Sequence, residues 1–219
     1  MTTLEILLMT TTTRFTLGVL WLSIPFAAMA GQASTLSPAN KSPPPEPMTL
    51  VEKVRRGVPD AFKNPFTAMS VGWRNVTGCV SGENQGAMGI HLVFNPSPVP
   101  GAPPPKLADG ILEPLDPEAL IYEPAGNGMF RLVGVEFIEL AEHWAGMVKK
   151  DSTLPTTPRV DGHLMNYVGA PNRFGLPAFY ELHVWAFEDN PVGTFADWNT
   201  LVNCKRAKPD DLPNSDVLP

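Results

Sequence analysis

The strongest hydrophobic pattern lies near the end of the chain, in AFYELHVWAF (178–187). Side chains alternate across a strand with a period of two. That places Phe179, Glu181, His183, Trp185 and Phe187 on one face and Tyr180, Leu182, Val184 and Ala186 on the other. Both rows are largely apolar, so the pattern predicts a central strand covered on both sides. ALIYE (119–123) and MFRLVGVEFIEL (129–140) read as a hairpin turning at Asn127-Gly128, the dipeptide that best tolerates two positive φ angles. MGIHLVF (88–94) reads as another strand, with His91 sharing a face with Gly89 and Val93, and HLMNYV (163–168) as a weak one.

Helical spacing appears near the start. Thr49 and Glu52 form a capping box, and Leu50, Val51, Val54 and Val58 make an apolar face that Gly57 and Pro59 terminate. A second amphipathic segment is expected from Asp60 through Trp73, limited by Pro65, with Ala61, Phe62, Phe66, Met69 and Val71 as core candidates. GCVSGENQGAMG (78–89) reads as a glycine-rich turn, 95–110 as a long loop, and the chain after the hairpin as helical through Lys150. Asn190-Pro191-Val192-Gly193 fits a turn with proline second. Short strands with helices grouped at the start predict an α+β fold: one domain with a mainly antiparallel sheet and N-terminal helices.

Composition changes the picture at the ends. The 25 prolines among 219 residues must fall mostly in loops, and GQASTLSPANKSPPPEP (31–47) reads as a proline-rich linker. Before it, Arg14 precedes an apolar stretch ending in Ala28-Met29-Ala30, the layout of a signal peptide over 1–30, with Met9 as an alternative start. The folded domain is then expected over 48–204 and a flexible tail over 205–219, in a protein that is periplasmic or extracellular. The apolar stretch is too short to span a bilayer comfortably, so no integral membrane segment is expected in the mature chain. A net charge of −6 argues against a nucleic-acid partner. Cys79 and Cys204, the only cysteines, are expected to form a disulfide in an exported protein.

No complete catalytic motif is present. GCVSG misses the G-x-S-x-G elbow by one position, and the glycine spacing around it is no dinucleotide fingerprint. What stands out is polarity inside apolar rows: His183 and Glu181 in one strand, Glu136 beside Leu132, Gly134 and Ile138 in another, His91 in a third. A buried imidazole or carboxylate needs a partner, because leaving it unpaired costs several kcal/mol. Three arrangements satisfy this. His183 could bond a carboxylate or backbone acceptor within the core. His91, His183 and a carboxylate, Glu136 or Glu123, could hold a single divalent transition metal. Or the groups could serve acid–base chemistry or bind a small ligand beside Trp185, Tyr122 and Glu181. Trp185, Trp198 and Tyr122 also suit ordinary core packing, and His143 and His163 read as solvent-facing or locally bonded.

CVSG with GAMGIH, then ALIYEP, LVGVEF, YELHVWAF, NPVGTF and DWN, closing on Cys204, resemble a group of exported bacterial proteins of uncharacterised activity. The likeness spans roughly residues 79–204 and its final motif is the specific part. It implies export and a single domain but assigns no catalytic residue. Glu188 stands where that group is basic, which implies that the position is not essential. Together these readings give an exported binding or interaction domain for an unknown small ligand or protein, or alternatively a periplasmic metal-dependent enzyme.

Overall fold

The computed structural model describes residues 46–96, 105–209 and 211–213. The expected signal peptide and nearly all of the expected linker lie outside them. Among the described residues there are three α-helices: α1 (Leu50–Gly57), α2 (Pro65–Ser70) and α3 (Ala141–Lys150). Short 3₁₀ turns cover Asp60–Lys63 and Lys106–Ala108. The strands are β1 (Trp73–Gly82), β2 (Gly86–Phe94), β3 (Ala119–Gly126), β4 (Met129–Leu140), β5 (Arg159–Val160), β6 (His163–Leu164), β7 (Asn166–Val168) and β8 (Phe179–Val184). Six of them form one antiparallel sheet in the order β1-β2-β3-β4-β8-β7, and β5 pairs with β6 separately. This is an α+β domain with a curled antiparallel sheet.

The first helix forms as its sequence dictates. Thr49 accepts from the Glu52 amide while Glu52 reaches back to the Thr49 amide, and Leu50, Val54 and Val58 are buried against the sheet. The β3–β4 hairpin also follows its turn residues: Asn127 has φ 55° and Gly128 φ 71°. One face of the sheet carries Ile90, Leu92, Leu120, Tyr122, Val135, Phe137, Leu182 and Val184 and packs under α1 and α2. The other face carries two smaller apolar clusters, one of Ala87, Ile121, Val133, Trp185 and Val202, the other of Val93, Leu107, Ala119, Ile138 and Phe179.

Several expectations are corrected. The segment expected as a helix through Trp73 followed by a glycine-rich turn is a short helix and then the ten-residue strand β1. Its glycines serve irregularities within the β1–β2 ladder, with Gly78 at φ 66° inside a register shift, the positions where bulges favour glycine. Asn64, not Asp60, caps the helix there, accepting from the Phe66 amide with Pro65 in the first turn. Phe66 and Val71 are exposed at 49% and 55% rather than core. The stretch 163–168 is two short strands separated by buried Met165.

Leu132 leaves the row of Glu136 and Ile138. A register shift between Ile121 and Tyr122 on β3 pairs Gly134 with one and Leu132 with the other, so Val133 is the extra residue of a bulge. The side chain period slips there, and Leu132 joins the helix-covered face. Phe187 likewise packs against that face, because β8 ends at Val184. Beyond Cys204 packing continues: Leu212 is buried and its carbonyl accepts from Asn75 Nδ2 at 2.6 Å.

Cys79 and Cys204 are joined by a disulfide across 125 residues. A loop that long lowers the entropy of the unfolded chain by about 4–5 kcal/mol on the chain-entropy account. The bond fits an oxidising compartment. Among the described residues no helix is long and apolar enough to cross a membrane.

Candidate functional site

The site lies on the sheet face away from α1 and α2, as a polar belt between the two small apolar clusters. Glu136 of β4 pairs with His183 of β8 on one side and with Ala119 of β3 on the other. His91 of β2 pairs with Ile121, one step further along and two strands away from Glu136. The curl of the sheet closes that gap. Ala119 contributes only a methyl group to this face, and Gly134 contributes nothing, so the two imidazoles and the carboxylate can lean together.

Three contacts define the cluster. His91 Nε2 lies 3.4 Å from His183 Nε2 and 3.4 Å from Glu136 Oε2, and His183 Nδ1 lies 3.9 Å from Glu136 Oε1. All three residues are buried. A second acidic group approaches from the loop after β8: Asp197 Oδ1 is 4.0 Å from His183 Nδ1, with its side chain 37% exposed. Glu181, two residues before His183 on the same face, hydrogen-bonds to Glu136. Two carboxyl groups can do so only if one carries a proton.

Burial controls the charges. It pulls His91 down to about 4, and pulls His183 well below the usual imidazole value with the help of His91. It pushes Glu136 well above the carboxylate range, reinforced by Glu181 and Asp197, and raises Glu181 to about 7. The histidines are therefore neutral near pH 7, each with a lone pair on one ring nitrogen. His183 was expected to meet an acceptor within hydrogen-bond reach. Its carboxylate neighbours at 3.9 and 4.0 Å are too far. The Nδ1 atoms of both His91 and His183 are buried without a hydrogen-bond partner.

Of the residues singled out from sequence, His91, Glu136, His183 and Glu181 converge. Trp185 adjoins them, stacked on His183 with ring centroids 6.2 Å apart, but its indole N–H donates to the Ala196 carbonyl at 2.6 Å and it acts as packing. Tyr122 is on the opposite face, its hydroxyl donating to the Phe62 carbonyl, so it does not join this site. Glu123 sits further along β3, past Ile121. There it accepts from Arg131, from the Asn203 amide and from Asn203 Nδ2, and it is not part of the cluster. Arg131 also pairs with Glu188. His143 bonds Glu139 at 2.8 Å, and His163 packs on Phe195.

Asp197 was missed by the sequence reading. It lies in the irregular ADWN stretch, where no periodicity assigns a face. Glu118 was missed too. It is fully buried, accepts from the Ile138 amide with one oxygen, leaves the other unpartnered, and has its carboxyl pushed well up by desolvation.

The donor set suits a metal. One nitrogen or oxygen from each of His91, Glu136 and His183 can be chosen so that all lie within 4.8 Å of one another, and a second such set is Glu181, His183 and Asp197. Metal bonds of about 2.1 Å at a tetrahedral centre place neighbouring ligand atoms about 3.4 Å apart. The two separations of 3.4 Å around His91 Nε2 match that edge. Next to the cluster is a cavity of about 20 Å³ whose lining includes His91, Glu136 and Glu181 and is otherwise mainly apolar.

Compared with known protein families, with curated proteins and with solved structures, the chain matches none.

Proposed function

We propose that the domain is an exported binding protein whose ligand at this site is a single divalent transition metal ion, held by His91, His183 and Glu136. One observation carries the reading: two buried, neutral imidazoles and a carboxylate converge, with His91 Nε2 3.4 Å from both His183 Nε2 and Glu136 Oε2, the spacing of ligand atoms around one ion. Burying such groups without compensation is costly. An ion repays that cost by accepting lone pairs from both rings and by drawing the proton from Glu136. Two imidazoles and a carboxylate favour zinc, iron or copper over magnesium or calcium. The signal-like N-terminus, the resemblance to exported proteins and the disulfide support export.

A catalytic version has one observation in its favour. Three protein ligands leave a tetrahedral ion with a free position, the arrangement that distinguishes catalytic from structural zinc sites.

The test is metal analysis of the full chain purified without a His-tag, followed by titration of the chelated protein. One equivalent of metal is expected, lost in His91→Ala and in His183→Ala. Metal-free protein that binds zinc and cobalt no better than either variant overturns the reading.

A further inference from the structure

The cavity beside the cluster limits what else can bind there. Its polar lining is His91, Glu136 and Glu181, and its apolar lining includes Val76, Val93, Leu107, Ile138 and Phe179. Thr77 also borders it; its hydroxyl donates to the Gly78 carbonyl at 3.0 Å, which leaves it only an acceptor there. A water molecule needs about 10–15 Å³ of such space and two to four polar partners. The cavity's roughly 20 Å³ therefore holds one water or a slender small molecule. The apolar side chains supply no partners, so a polar occupant must be held mainly by His91, Glu136 and Glu181.

Resting on the metal reading above, we infer that the ion's remaining position opens into this chamber and takes a small monodentate donor: water, hydroxide or a linear triatomic anion. A free volume of about 20 Å³ excludes donors with a ring or a branched body. The specificity of the site is thus set by the volume of the chamber rather than by polar recognition.

The test uses the cobalt(II)-loaded full chain, followed by visible absorption. Azide is expected to shift the cobalt bands, and imidazole at the same concentration to leave them unchanged. Val76→Phe, which fills the chamber from β1, should keep the cobalt bands but weaken the azide response more than tenfold. Val76→Leu serves the same purpose should the larger side chain prevent folding, as judged by its thermal transition. Cobalt bands that ignore azide, that respond equally to imidazole, or that respond to azide unchanged in the filled variant overturn the inference and leave the metal reading standing. Absence of cobalt bands in the unaltered chain overturns both.

Discussion

His183 stands directly opposite Glu136 in the β4–β8 ladder, yet His91, from two strands away, brings its imidazole closer to that carboxylate: 3.4 Å against 3.9 Å. The pairing of the strands alone does not produce this. It needs a curled sheet and an empty place on the strand between, which Ala119 provides.

Ala119 is therefore the residue whose enlargement should injure the site most directly. It is fully buried and lies opposite Glu136. Ala119→Leu is expected to cost about 1–3 kcal/mol by overpacking, and to lower metal affinity at least tenfold by holding His91 away. Leu120→Ala is the control. Its side chain packs in the helix-covered core, so it should cost about 2–5 kcal/mol without changing metal affinity. Equal effects of the two variants on affinity would show that Ala119 has no special place in the site.

The disulfide should matter to the whole domain. It ties β1 to the segment after the ADWN stretch, closing 125 residues. The double variant Cys79→Ala, Cys204→Ala is expected to lose about 2–5 kcal/mol in denaturant titration. Loss of less than 1 kcal/mol would mean that the unfolded chain is already restricted in that loop.

What could be read from the sequence follows from which physical signals are local. The β3–β4 hairpin was legible because Asn127-Gly128 fixes the turn and alternation fixes the faces. Glu181, His183 and Glu136 were legible as buried polar groups for the same reason. β1 was not, because Gly78 and its neighbours resemble a turn when they in fact sit in a bulged strand. Period-two reasoning failed at Val133, where one inserted residue moved Leu132 to the other face. Glu123 was a reasonable candidate from its row, since it shares alternation with Ala119 and Ile121. Its distance along β3 and its capture by Arg131 and Asn203 depend on the fold of distant segments. The approach of Asp197 depends on the path of an irregular loop, for which the sequence offers no period.

His183→Ala separates a packing role from a ligand role. The ring's hydrogen bond is the long 3.4 Å contact with His91 Nε2, and its Nδ1 has none to lose, so chelated protein is expected to lose no more than about 2 kcal/mol, from that weak contact and the space left behind. The larger effect should appear with metal. Free metal at 100 times its dissociation constant stabilises a folded protein by about 2.7 kcal/mol. That increment is expected in the unaltered chain and absent in the variant, measured by denaturation with zinc and with chelator. A variant that keeps the increment would remove His183 from the ligand set.

The pH dependence of the metal-free protein tests the charge states. Glu136 is held protonated in the fold by burial and by Glu181, so its pKa is raised above the ordinary 4.5. A raised value contributes stability below 4.5 that is lost as pH rises through the folded value. Glu181, raised to about 7, acts in the same direction up to that pH. The histidines act oppositely: His91 is lowered from 6.5 to about 4, so its contribution is lost as pH falls below 6.5 and is complete above it. His183 is lowered in the same sense. Between 4.5 and 6.5 the two effects offset and the profile should be shallow. Above 6.5 only the carboxyl groups still exchange protons on unfolding, so stability in chelator should fall with pH by up to about 1.4 kcal/mol per pH unit for each group still protonated in the fold. Glu136→Gln should flatten that fall. Metal should reduce it by the share of Glu136, because binding takes that proton in the folded state, while Glu118, whose carboxyl is also pushed well up by burial, keeps its own share. Denaturant titrations at pH 5.5, 6.5, 7.5 and 8.5 with and without zinc decide the matter. A flat profile in chelator above 6.5 would mean that Glu136 is already ionised in the metal-free fold.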